Sequence, residues 1–311
     1  MTSDGARELW SVHANTLATM RVDAVTVEVV TALHGIGIDP ILLKGRTIAR
    51  WLYDNADPRA YGDTDLLIRA GELARAESLL ATLGFEPDRD PNWIRDWPAP
   101  GRPWLRQTDE AMVDVHRSLA GVEVDDDALW TALSDELESM NLAGVDVTVL
   151  SPAARVCHIA LHVAQHEART TQPLIDLQRA LDRVDRATWV RAAGVAERLG
   201  AIPAFALGLA ALPEGEQLGR ELGLPSPGQA ALTADANRLD RSLEALAHAP
   251  GTRARASMVI NKLFPSRRFM QGFSPLASRG RLGLTITYMW RPLWLFGRAL
   301  NGIRGWHSRR V

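Results

Sequence analysis

The stretch Asp63-Thr64-Asp65-Leu66-Leu67-Ile68 constrains the fold more than any other part of this 311-residue chain. Leu66, Leu67 and Ile68 form an apolar run of strand length, bounded by polar and turn-forming residues. Asp63 and Asp65 stand at its mouth, two positions apart. Alternate residues of a strand project to one face, so the two carboxylates point the same way. Charge at the entrance of a buried strand is unfavourable unless something positive meets it. The fold must bury this run while opening its start to positive charge.

The neighbouring segments supply a sheet and its helices. Residues 7–34 read as one or two helices, with an apolar stripe from Leu9, Val12 and Leu17 to Leu33 and a stop at Gly35 and Gly37. Residues 40–45, PILLKG, read as a buried strand ending in Lys44-Gly45. Helical spacing follows, with Ile48, Trp51 and Leu52 on one side. Residues 60–68 are the second strand, and residues 71–85 an amphipathic helix stopped by Gly84. Residues 87–109 hold five prolines together with Trp93, Trp97 and Trp104, and read as loop. Residues 110–119, which carry Asp114 and His116, partly alternate and read as a third strand; residues 145–150 read as a fourth.

The texture changes at Ser151, a helix N-cap followed by Pro152 at the first helical position. Helical patterning then runs to about residue 249, broken at Pro203, Pro213 and residues 225–228. The expected class is α+β: a small mixed sheet flanked by helices over residues 1–150, a helical region over 151–250, and a distinct segment over 251–311.

That last segment is an electrostatic object of its own. It has twelve Lys and Arg and no Asp or Glu, so a net charge of −2 leaves −14 on residues 1–250. Trp290, Trp294, Phe296 and Trp306 lie among its arginines. Arg291, Pro292 and Arg298 interrupt the apolar stretch and argue against a bilayer span. The pattern suits an anionic membrane surface or a phosphate-rich partner, or a helix that docks its aromatic side on the body and leaves its arginines solvated. No DNA- or RNA-reading motif is present. The single cysteine, Cys157, excludes an internal disulfide framework and reads as a small buried residue. With an N-terminus that lacks a secretory apolar core, this points to the cytoplasm, with peripheral membrane contact open to the basic segment.

Asp114 joins Asp63 and Asp65 if its strand runs beside theirs. Three carboxylates on one sheet face repel and raise one another's pKa. A divalent cation removes the conflict, and Mg²⁺, which takes oxygen ligands and leaves room for phosphates, suits the set. Paired ions clamp the attacking and leaving oxygens of an in-line displacement. Gly45, at a strand-to-helix junction, lets a phosphate approach the backbone, and the following helix offers free N–H groups. Lys44, Arg46 and Arg59 supply positive charge for phosphates, or are ordinary surface cations.

Taken in order, ILLKGRTIARWLY, DPRAYGDTDLLI, LATLGFEP and MVDVHRSL resemble the nucleotidyltransferase superfamily of DNA polymerase beta type. They are most similar to a bacterial branch described as uncharacterised nucleotidyltransferases. The resemblance covers roughly residues 30–120, and more loosely LSPAARVCHIALHVAQHE. It implies transfer of a nucleoside monophosphate from an NTP such as ATP to a hydroxyl acceptor, with two Mg²⁺ ions. Asp63 and Asp65 would bind both metals, and Asp114, the third carboxylate, would help activate the acceptor. Gly45 would approach the phosphates and His116 would orient Asp114 or a phosphate. The chain departs from the wider superfamily in having Arg46 after Gly45, where Ser or Gly is usual. The acceptor stays open among small molecules, peptides and protein side chains, and the tryptophan-bearing loop stacks a base, holds the acceptor or anchors itself. Two rivals remain: a binding or scaffold protein of a biosynthetic pathway, and a nucleotide or phosphodiester hydrolase using the same site.

His158, His162 and His166 fall on one stripe of a helix. Two histidines at this spacing can hold zinc, but Ile159 stands where a zinc protease has glutamate. The stripe reads instead as packing that lines the cleft.

Overall fold

A computed structural model describes residues 3–54, 57–88, 101–166 and 170–308. Helix α1 (Ser3–Gly35) leads to β1 (Ile41–Leu42), α2 (Arg46–Leu52), β2 (Thr64–Leu67) and α3 (Leu73–Thr82). Strands β3 (Glu86–Pro87), β4 (Gly101–Arg106) and β5 (Ala111–His116) follow, then α4 (Asp126–Leu133), β6 (Leu137–Leu142) and β7 (Val145–Leu150). The rest is helical: α5 (Pro152–Gln165), α6 (Thr171–Arg183), α7 (Arg186–Arg198), α8 (Ile202–Leu209), α9 (Pro213–Glu221), α10 (Pro227–His248), α11 (Gly251–Leu263), α12 (Arg267–Phe273) and α13 (Gly280–Ser308). The class is α+β, a mixed sheet with helices followed by a run of helices. The described residues form two compact units, one running to Ser226 and one from Pro227 onward.

The seven strands make one mixed sheet in the order β3-β4-β5-β2-β1-β7-β6. β2 runs parallel to β5 and antiparallel to β1, and β1 runs parallel to β7. Every residue of β2 is buried, as its apolar run requires. Alternation sorts the sheet's side chains between two cores. Leu66, Val113 and Val115 pack towards Val29, Leu33 and Leu80 of α1 and α3. Ile41, Leu43 and Leu67 pack in the other core with Ile48 and with Val156, Ile159 and Ala160 of α5. Asp65, Asp114 and His116 alternate with the first set, so they share the α5 side. Cys157 is buried there, and burial pushes its thiol up to about 12.

The structure corrects one reading of the chain. Residues 101–106, taken as loop, are β4, paired with β5 along its whole length and with β3 at one end. Pro103 and the polar Arg102 and Arg106 hide the strand, because its burial falls on Gly101 and Trp104 rather than on a regular apolar alternation. Trp104 is thus a core residue; Trp93 and Trp97 lie outside the described residues. β6 also escapes the sequence. It is an edge strand of mixed composition, mostly solvent-facing, paired only with β7. The start of α5 is as expected: Ser151 caps it by accepting from the Ala154 N–H.

Candidate active site

The site sits where β1 ends and β2 begins, beside β5. Parallel pairing puts Asp65 directly opposite Asp114 and Leu67 opposite His116. The Leu43 N–H donates to the Asp65 carbonyl at 3.0 Å, which brings the turn after β1 against β2. Lys44 Nζ then lies 2.8 Å from Asp65 Oδ1. The chain turns at Gly45, whose φ of 64° favours glycine, and the Tyr61 ring lies 3.2 Å from where a Cβ would stand.

His116 bridges the carboxylates. Its Nε2 is 3.1 Å from Asp65 Oδ1 and 3.4 Å from Asp114 Oδ2. Gly101, opposite His116 on β4, makes room for this: a Cβ there would fall 2.7 Å from His116 Nδ1 and 3.0 Å from Asp114 Oδ1. Sequence reasoning missed Gly101, since a role that consists of lacking a side chain leaves no pattern to read.

The electrostatics differ residue by residue. Burial would raise the Asp65 carboxyl, but the Lys44 ammonium and the His116 ring hold it well below the usual carboxylate range. At Asp63, just ahead of β2, burial and like charge prevail. Burial, with the Asp65 and Asp114 charges, pushes it up to about 6 against the opposing pull of Lys44 and Arg59. Burial alone would lower Lys44 and His116. The facing carboxylates reverse this, raising Lys44 above its ordinary value and His116 to about 9.

Asp65 Oδ2 and Asp114 Oδ1 are buried and have no hydrogen-bond partner among the described residues. Asp65, Asp114 and His116 each offer a ligand atom within 4.8 Å of the others, a grouping of three that no other His, Cys, Asp or Glu cluster makes among the described residues. Two orphaned carboxylate oxygens on residues paired across neighbouring strands, with a third carboxyl electrostatically coupled to them, fit a hard divalent cation such as Mg²⁺.

The other expected phosphate cations are already engaged. Arg46 is exposed and its Nη1 lies 3.5 Å from Asp23 Oδ2, while the Tyr61 hydroxyl donates to Asp23 Oδ1 at 2.6 Å. Arg59 is buried and donates to both Asp176 oxygens on α6, from Nε at 2.9 Å and Nη2 at 2.8 Å. Asp176 also accepts from the Tyr53 hydroxyl at 2.6 Å and from Gln172 at 3.1 Å. The α5 histidines line up beside the site. Burial, with the Lys44 charge next, pushes His158 down to about 3 and lowers His162 and His166 as well. His162 and His166 meet Nε2 to Nε2 at 3.0 Å. The three do not make a metal cluster of their own among the described residues.

A mixed sheet that sets acidic side chains beside a lysine-glycine turn is what the resemblance of the sequence to nucleotidyltransferases implies. A family model described as "Uncharacterised nucleotidyltransferase" matches residues 7–214. The chain belongs to that family and is an enzyme of the nucleotidyltransferase type. No curated protein matches it. Among solved structures it is similar to the antibiotic-resistance factor ANT(2'')-Ia in solution, at 15% identity and TM-score 0.42, covering 60% of this chain and 96% of that one. It is also similar to ANT(2'')-Ia in complex with adenylyl-2''-tobramycin, at 14% identity and TM-score 0.42, covering 57% of this chain and 97% of that one. A third is an antigenic nucleotidyltransferase-like protein from Paracoccidioides brasiliensis, at 14% identity and TM-score 0.33, covering 61% of this chain and 92% of that one.

Proposed function

We propose that the enzyme moves a nucleoside monophosphate from an NTP to a hydroxyl acceptor, with Mg²⁺ held by Asp63, Asp65 and Asp114. The observation that carries this is the pair of orphaned oxygens on Asp65 and Asp114, on neighbouring parallel strands beside Lys44. Bound Mg²⁺ would offset phosphate charge and support displacement at the α-phosphorus. The acceptor oxygen forms a bond to the α-phosphorus as the bond to the bridging oxygen breaks and pyrophosphate leaves. Asp114 takes the acceptor proton, and His116 holds the Asp114 carboxylate in place for it. Lys44 fixes Asp65 and adds positive charge on the phosphate side. Gly45 lets a phosphate approach the turn, Arg46 flanks it, and Arg59 braces the segment that leads into β2 through Asp176.

The test is calorimetric titration of each NTP with Mg²⁺ into wild type and into the Asp63→Asn/Asp65→Asn double variant. Mg²⁺-dependent binding that the variant loses supports the assignment and identifies the donor base. Absence of binding by folded wild type sinks it. Pyrophosphate or phosphate release that needs no acceptor would move the reading to hydrolysis.

A further inference from the structure

Helix α13 carries an apolar row that nothing in the described structure covers. Leu282, Ile286, Met289, Leu293, Phe296, Leu300 and Ile303 recur at alternating spacings of four and three, all on one helix face. Each is exposed, Leu282 at 76% and Met289 at 71%, and Trp290 beside them at 59%. The row spans 22 positions, about 32 Å of helix. Large apolar side chains exposed in an unbroken line mark a docking face rather than ordinary surface.

The opposite face of α13 is occupied by its own unit. Arg298 pairs with Asp235 of α10 at 2.7 Å. Arg291 is buried, donates to the Lys262 carbonyl at 3.1 Å and lies over the Phe269 and Phe273 rings. Thr287 is buried too. So α13 is apolar on its outer side and committed on its inner one. Phe296 also borders a cavity of about 400 Å³ against α10 and α11, lined by Leu246, Leu263 and Leu295 and by the charged Asp235, Lys262 and Arg298.

The charge around the row selects its occupant. Arg279 and Arg281 are exposed at one end and Arg304 at the other; Arg253, Arg255 and Arg267 are exposed on α11 and at the start of α12. No acidic residue occurs from Gly251 to the end of the chain. A second copy laid α13 against α13, parallel or antiparallel, brings arginine onto arginine with no carboxylate of residues 251–311 to pair. An anionic bilayer meets every requirement: acyl chains take the row, Trp290 sits at the interface, and anionic headgroups meet the arginines. No described helix is long and apolar enough to cross a membrane. We infer that α13 lies along the surface of an anionic lipid bilayer and docks the enzyme there.

The test uses the full-length protein with vesicles of phosphatidylcholine alone and with phosphatidylglycerol added. Co-sedimentation should require the anionic lipid and weaken as salt rises. Arg281→Gln/Arg304→Gln should weaken partitioning roughly thirtyfold, near fivefold per cationic group. Leu293→Glu, at an exposed position, should abolish it while circular dichroism and NTP binding stay as in wild type. Absence of co-sedimentation with anionic vesicles overturns the inference. So does Leu293→Glu binding as well as wild type. A wild-type dimer in lipid-free solution that Leu293→Glu converts to monomer, with no vesicle binding, overturns it in favour of self-association.

Discussion

Asp63→Asn should make the metal-free enzyme more stable while it removes function. The Asp63 carboxyl is raised from 3.8 to about 6, by burial first and the Asp65 charge second. A raised carboxyl favours the neutral form in the folded state. Its contribution is therefore fully present below pH 3.8 and is lost as pH rises through about 6. A shift of this size corresponds to about 2–3 kcal/mol, allowing for solvent screening at a partly exposed group. Asparagine is neutral throughout, so the variant escapes that loss. Urea unfolding in EDTA should find the two proteins close near pH 4, with a gap that opens between about pH 4 and 6 and levels near 2–3 kcal/mol in favour of the variant.

The difference between the proteins is the measured quantity, because other groups titrate in both. His158 and His162 are held neutral by burial, so each contributes stability present above its ordinary 6.5 and lost as pH falls. His116, raised to about 9, contributes stability lost as pH rises above 6.5. Both effects cancel in the subtraction. Adding Mg²⁺ should stabilise wild type at neutral pH more than the variant and narrow or reverse the gap. The reasoning fails if the variant is less stable than wild type in EDTA at neutral pH, or if the gap does not change with pH.

Two further substitutions test the surroundings of the carboxylates. Gly101→Ala puts a Cβ 2.7 Å from His116 Nδ1 and should displace His116 and Asp114, costing roughly a hundredfold in pyrophosphate release under saturating substrates with the fold retained; turnover within about threefold of wild type would show the site has slack. Arg59→Gln leaves Asp176 buried with only its Tyr53 and Gln172 partners, and should cost about 3–5 kcal/mol in unfolding while NTP affinity holds within about threefold. A large loss of NTP affinity in a folded Arg59→Gln protein would instead put Arg59 on the phosphates.

The sequence shows the carboxylates more clearly than their partners. Asp63, Asp65 and Asp114 stand out because a charged residue beside a strand-length apolar run needs a local reason. The pairing of Asp65 with Asp114 depends on β2 running beside β5, which no spacing within either segment reveals. The Arg59–Asp176 pair joins residues 117 apart in the chain, and Arg59, readable as a phosphate cation or a surface cation, carries no sign of Asp176 as its partner. Lys44 is readable as a cation near phosphates, but its 2.8 Å contact with Asp65 depends on how the turn after β1 closes. Short apolar runs are legible as strands when buried on both faces, as in β2. Gly101, Arg102, Pro103 and Arg106 carry β4 without that signal. The exposed row on α13 was visible as a basic, aromatic segment; which side of it faces outward required the packing of Arg291 and Arg298.

Asp63 and Asp65, two positions apart, are shifted in opposite directions. Lys44 and His116 both reach Asp65 and keep it ionised, so that part of the site is assembled before any ligand arrives. Asp63 has burial and two like charges to contend with, and keeps its proton up to about pH 6 when no cation is bound. Cation binding should therefore displace the Asp63 proton. Below about pH 6 the affinity for Mg²⁺, or for Mn²⁺ as a spectroscopic stand-in, should fall about tenfold per pH unit. Above about 6 it should level off if the three carboxylates hold the ion. Affinity that keeps rising towards about pH 9 would mean that His116 gives up its proton to become a ligand, and the ion would then belong to Asp65, Asp114 and His116. Repeating the titration with Asp63→Asn separates the two, because only the carboxylate assignment predicts that the dependence below pH 6 disappears.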